Sequence, residues 1–183
     1  MLESQASGAV SVAQVNEVLA AGIQDITNAM VESFQLNDVL RMILETMFRA
    51  LGFRRMVFCL RDAKTEVLTG RFGLGEGSEV AVRAMKVPLK APGDLFAAVC
   101  LRGADTLIND ATEPRMQARL PQWYLGGINA PSFLLLPLQI KGQTFALIYA
   151  DQSAVGGIVV DDKALGLLRA LRNQAVMAFR QAG

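Results

Sequence analysis

Histidine is absent from the 183 residues. Without imidazole there is no Ser/His/Asp or Cys/His nucleophile machinery, no haem ligation through imidazole, and little access to the usual zinc ligand sets. Cysteine is scarce too, with only Cys59 and Cys100. Each sits in an apolar stretch outside any Cys-x-x-Cys arrangement and with no evident cationic neighbour, so both read as reduced core thiols before a redox pair. Excess charge of either sign is missing: 18 Lys plus Arg face 17 Asp plus Glu, a net +1. That balance gives no general pull toward phosphate backbones or anionic lipid, and neither nucleic acid nor membrane is expected as a partner. Long apolar runs are missing as well. The densest, Phe133 to Leu138 and Phe145 to Ala150, fall far short of the ~20 residues of a spanning helix. Nothing at the start resembles a secretory signal, so a cytoplasmic location is expected.

What the chain does have is apolar content, 52% hydrophobic against 19% charged residues, enough to build a sizeable core without staples. Residues 1–12, small and polar, read as a disordered leader or linker remnant, and residues 13–183 as one domain. From Ala13 to Phe34, Val15, Leu19, Gly22, Ile23, Ile26 and Met30 recur at helical spacing. A second helix is expected after Asn37 as N-cap, with Val39, Leu40, Ile43, Leu44, Met47 and Leu51 buried and Gly52 as terminator. The period then changes to alternation: Met56 to Asp62 and Glu66 to Phe72 read as a hairpin, followed by a flexible loop over Gly73 to Gly77. Those glycines are no phosphate loop, since no Gly-Lys-Ser/Thr follows and they do not open a helix in dinucleotide fashion. Met85 to Leu89 and Thr106 to Asn109 are brief strands around a helix capped by Asp94 and stopped by Gly103. Residues 110–131 are dense in Pro and Gly and form a lid-like excursion. Ser132 to Ile140 and Gln143 to Asp151 are the best-buried strands, joined at Lys141-Gly142. A final helix carries Leu165, Leu168, Leu171, Ala175, Val176 and Phe179, with Asp161 as its cap.

This order of elements resembles a GAF domain over roughly Val15 to Ala182. The stretches Leu51 to Asp62, Arg71 to Gly75, Leu136 to Gly142 and Ile148 to Asp151 look like the GAF portion that follows an HDOD domain in bacterial signalling proteins. The resemblance implies an α+β, PAS-related fold. A central antiparallel sheet of about six strands would carry the terminal helices on one face, and short helices and loops would cover a ligand pocket on the other. It also implies a regulatory, non-catalytic role, a small-molecule ligand, an upstream HDOD or other signalling domain, and homodimerisation through terminal helices whose stripes suit a partner helix.

Projected onto this chain, the pocket residues are Phe58, Leu60, Phe72, Phe96, Trp123, Tyr124, Phe133 and Tyr149, with Asn109 and Asp110 as polar contacts. Such a set, mostly apolar with a few polar groups, suits a ligand site. It also describes aromatics that simply fill the core. Trp123 and Tyr124, among breakers, either plug the pocket or close over a ligand. No cofactor is named by the sequence. The family's cyclic-nucleotide pattern has no counterpart here, bilin attachment beside a histidine is impossible, and the cysteine set of its free-methionine-sulfoxide reductases is missing. An enzyme would have to work with Cys59, Asp110, Tyr149 and Asp151. Asp161, Asp162 and Glu113 do not suggest a metal site, and Arg54, Arg55, Lys86 and Lys90 read as solvated surface. The competing function is a purely structural dimerisation or docking domain whose own side chains fill the pocket.

Overall fold

The computed structural model describes residues 2–90 and 93–182, with side chains from residue 12 onward. In chain order the elements are α1 (Leu2–Val31), α2 (Leu36–Leu51), β1 (Arg55–Asp62), β2 (Val67–Gly75), α3 (Ser78–Ala84), β3 (Lys86–Pro88), α4 (Leu95–Arg102), β4 (Thr106–Ile108), α5 (Pro114–Gln117), β5 (Ser132–Ile140), β6 (Gln143–Gln152) and α6 (Asp162–Ala182). A π-helical turn, Tyr124–Ile128, lies between α5 and β5. The chain divides into two compact units, Met1–Gly52 with Val160–Gly183, and Phe53–Val159.

The first unit is helical. α1 extends back through the segment read as a leader, which contains no proline. Its one glycine, Gly8, costs only about 1 kcal/mol relative to alanine in a helix. α2 starts at Leu36 with Gln35 as N-cap and no side-chain cap, so Asn37 lies inside the first turn instead of capping it. Gly52 ends α2 in the left-handed region as expected, its N–H donating to the Phe48 carbonyl at 3.0 Å. α1 and α2 cross closely at Gly22, where a Cβ would stand 2.3 Å from Thr46 Cγ2. α6 is tied to α1 by Gln174, whose Nε2 donates to the Ile23 carbonyl at 3.0 Å and to Thr27 Oγ1 at 2.9 Å. Asp161 caps α6, accepting from the Ala164 N–H at 2.7 Å.

The second unit holds a six-stranded antiparallel sheet in the order β3-β2-β1-β6-β5-β4. Lys141 and Gly142, at φ 54° and 76°, make the tight turn of the β5–β6 hairpin with the twist that antiparallel strands favour. Alternation sorts side chains by face. Val57, Cys59, Leu135, Leu147 and Tyr149 share one core cluster with Phe96 of α4, Tyr124 and Phe133, and this is the aromatic face. Met56, Phe58 and Leu60 point to the opposite face.

β2 runs on through Gly75, into the stretch Gly73 to Gly77 expected to be a loop, and α3 follows in a segment to which no element is assigned from sequence. The glycines explain both. Gly73 and Gly70 pair with Val57 and Cys59, so they lie on the aromatic face, and α3 packs there against backbone. A Cβ on Gly70 would sit 2.2 Å from the Val82 carbonyl oxygen, and one on Gly73 would sit 2.7 Å from the Met56 carbonyl oxygen. Gly70→Ala is expected to destabilise the fold by about 1–3 kcal/mol through overpacking against rigid backbone, measured by urea unfolding against wild type.

Candidate functional site

Two cross-strand rows build the site. Phe133, Asp151, Arg55 and Gly75 lie side by side across β5, β6, β1 and β2, and Leu135, Tyr149, Val57 and Gly73 form the next row on the same face. Asp151 is fully buried and Arg55 nearly so, with side chains 0% and 6% exposed. Arg55 Nε donates to Asp151 Oδ2 at 2.6 Å, and the Tyr149 hydroxyl donates to the same oxygen at 2.6 Å. Arg55 Nη2 reaches out of the sheet to donate to the Ile128 carbonyl at 2.9 Å. The Tyr124 hydroxyl donates to the Ala130 carbonyl at 2.6 Å. Arg55 thus ties the sheet to the π-helical turn through an otherwise apolar interior, and the Tyr124 hydroxyl ties that turn to the segment leading into β5.

One polar atom in this cluster has no partner: Asp151 Oδ1 is buried and accepts no hydrogen bond. Burial pushes the Asp151 carboxyl above the ordinary carboxylate range, against the opposing pull of Tyr149 and Arg55. Burial likewise raises the Tyr149 and Tyr124 hydroxyls and the Cys59 thiol. It pushes Cys100 up to about 12. The two phenols and both thiols keep their protons at neutral pH, so neither a thiolate nor a phenolate nucleophile is on hand.

Five of the ten residues read from the sequence as pocket-lining come together. Phe96 is the hub, with ring centroids 4.9 Å from Trp123, 5.5 Å from Tyr124, 5.4 Å from Phe133 and 6.3 Å from Tyr149. Trp123 is half-buried at the rim of this cluster and the other four are buried. Phe58, Leu60 and Phe72 are placed elsewhere. The two-residue period of β1 that sends Val57 and Cys59 to the aromatic face turns Phe58 and Leu60 away from it. Phe72, paired with Phe58, stacks on that ring at 5.5 Å. Asn109 is exposed, and its carbonyl accepts from the Gly156 N–H at 2.7 Å. Asp110 folds onto its own turn, accepting from the Thr112 hydroxyl and, at 2.9 Å, from the Thr112 N–H. Those bonds hold its carboxyl below the usual range.

Arg55 is the residue that sequence reading missed. It is no solvated surface cation but the counterion of a buried acid. Its signal lay in Asp151, an acid closing one of the most apolar runs in the chain, which needs a cation from a neighbouring strand. The Tyr124–Ile128 turn was hidden because breaker-rich sequence says little about backbone form. Its Asn129 N–H reaches back to the Tyr124 carbonyl at 2.7 Å, the wide turn that often marks functional sites. Among the described residues, no three Cys, Asp or Glu side chains gather to hold a metal ion, and no helix is long and apolar enough to cross a membrane.

A family model for the GAF domain matches residues 35–179, most of the chain, and the protein belongs to the GAF domain family. GAF domains are generally non-catalytic regulatory sensor domains in signalling proteins. Solved structures share the fold. The GAF domain of an Acinetobacter phosphoenolpyruvate-protein phosphotransferase is 18% identical, with a TM-score of 0.69 over 91% of this chain and 92% of that one. The phycoerythrobilin-bound GAF domain of a cyanobacterial phytochrome is 12% identical, with a TM-score of 0.68 over 90% and 96%. The free methionine-R-sulfoxide reductase from Neisseria meningitidis, in complex with its substrate, is 18% identical, with a TM-score of 0.64 over 94% and 93%. No curated protein matches the sequence significantly.

Two outcomes follow from the buried pair. Arg55→Met is expected to lower unfolding free energy by about 3–5 kcal/mol at neutral pH, because it leaves the Asp151 carboxylate buried without its cation; denaturant titration measures this. A folded-state carboxyl held above its unfolded value of 3.8 contributes most below that value and loses its contribution as pH rises through the folded pKa. The stability of wild type minus that of Asp151→Asn should therefore fall as pH is raised from about 4 toward neutrality, followed by thermal unfolding across that range.

Proposed function

We propose that this chain is a cytoplasmic, non-catalytic regulatory domain of a bacterial signal-transduction protein. It takes a small molecule on the aromatic face of its sheet and works as a homodimer through its terminal helices. The observation that carries the ligand reading is the buried Arg55–Asp151–Tyr149 cluster, with an unpaired carboxylate oxygen in an apolar, ring-lined wall. A few polar groups in an apolar surround are what orients a small ligand. Trp123 at the rim and the Tyr124–Ile128 turn, joined to the cluster by Arg55, are the parts that would respond to occupancy.

The non-catalytic reading is supported by the protonated state of the cluster's phenols and of both thiols. The dimer reading is supported by α1, whose 30 residues span roughly 45 Å. It is further supported by exposed apolar side chains at Val12, Val31 and Met177 on α1 and α6. Part of the expected stripe is already spent, since Leu19 and Ile26 of α1 and Leu168 and Leu171 of α6 are buried within the chain. An upstream HDOD or other signalling domain would be the natural recipient of the output.

The ring packing favours a second reading. Four rings crowd Phe96, and a site filled by its own aromatics suits a domain that only dimerises or docks. Native mass spectrometry on freshly purified protein separates the two. A dimer with retained extra mass is expected; a ligand-free dimer would favour docking, and a bare monomer would overturn the account of the terminal helices.

A further inference from the structure

The free oxygen of Asp151 restricts what the aromatic face accepts. Oδ2 already takes two hydrogen bonds, from Arg55 Nε and the Tyr149 hydroxyl. Oδ1 is shielded from solvent and takes none. A buried acceptor left unpaired is costly, and hydrogen bonds to a charged acceptor are among the stronger ones in proteins. Filling Oδ1 is therefore where a ligand gains most in this interior, and only a donor can fill it.

The charge of that donor is limited by Arg55. The carboxylate is already neutralised at 2.6 Å, so an incoming cation would leave a net buried positive charge, and an incoming anion would face the carboxylate. Both carry a large desolvation cost. The shape is limited by the rings. Phe133, in the same cross-strand row as Asp151, stacks with Tyr149 at 5.9 Å and with Phe96 at 5.4 Å, interplanar angles 29° and 11°. These faces stack on one another, so a flat apolar body that takes the place of one ring contact keeps the stacking, whereas a branched one does not.

We propose that the ligand of this domain is a neutral, flat, largely apolar molecule carrying an N–H or O–H group that donates to Asp151 Oδ1. This rests on the reading of the aromatic face as a ligand site. Ligand binding there also meets the lid directly, because Arg55 bonds both the recognised carboxylate and the Ile128 carbonyl.

The test uses wild-type protein, so no variant has to fold. Indole, with its single N–H donor, is titrated against benzofuran, which has nearly the same shape but no donor, and against benzylammonium as a cation. Binding is followed by amide chemical shifts at Arg55, Ile128, Ala130 and Asp151. The expected result is shift changes at these residues with indole bound about tenfold or more tightly than either competitor, the ratio a satisfied hydrogen bond to a charged group supplies. Equal binding of indole and benzofuran would overturn the donor assignment while leaving the aromatic face a ligand site. Tightest binding by benzylammonium would overturn the neutral class. No shift change with any of the three at millimolar concentration would overturn both the proposal and the ligand-site reading beneath it.

Discussion

A carboxylate cannot lie buried on a central strand without a counterion, and the second unit is arranged around that constraint at Asp151. Arg55 supplies the cation from the facing position on β1, so the β1–β6 register is fixed electrostatically as well as by the apolar alternation. A one-residue slip of β1 would turn Arg55 to the opposite face and leave Asp151 without its cation. The guanidinium then spends a second donor on a carbonyl of the π-helical turn, and Tyr149 spends its hydroxyl on the same carboxylate. Strand pairing, the seating of the Tyr124–Ile128 turn and the orientation of one cluster tyrosine all follow from neutralising a single acid.

The fold was largely legible because its long elements carry strong periodic signals. β1, β5, β6 and α6 declare themselves by alternation or helical spacing. Asp94, Gly103, Gly52 and Asp161 punctuate as their chemistry demands. α3 is hidden because Gly73, Gly75 and Gly77, just before it, invite a loop reading. Only the three-dimensional packing shows that the missing side chains make room for a helix. The site was half legible. Phe96, Trp123, Tyr124, Phe133 and Tyr149, candidates from their place in the expected topology, come together, whereas Phe58, Leu60 and Phe72 lie on the opposite face. The alternation of β1 was visible, whereas which of its two faces meets α4 was not. Arg55 escaped because a pair of arginines at a strand entrance looks like surface until its partner across the sheet is known.

Aromatic crowding and the polar cluster pull the functional reading in different directions, and both have the same origin. A wall of rings with one charged pair is stable when the rings touch each other, and it stays stable when a flat molecule replaces part of that contact. On the ligand reading proposed above, a domain built this way would exchange one packed state for another. That suits a module whose output depends on a modest free-energy difference between two arrangements.

The outer strands of the sheet have a consequence for how copies of this chain meet. β3 and β4 are each three residues long, and β3 ends in Pro88, which has no N–H to offer. An incoming strand would find too few free backbone groups on either edge to extend the ladder. Growth by sheet addition, the common route to aggregation for β-rich proteins, is blunted at both ends, and encounters between copies are left to side-chain surfaces.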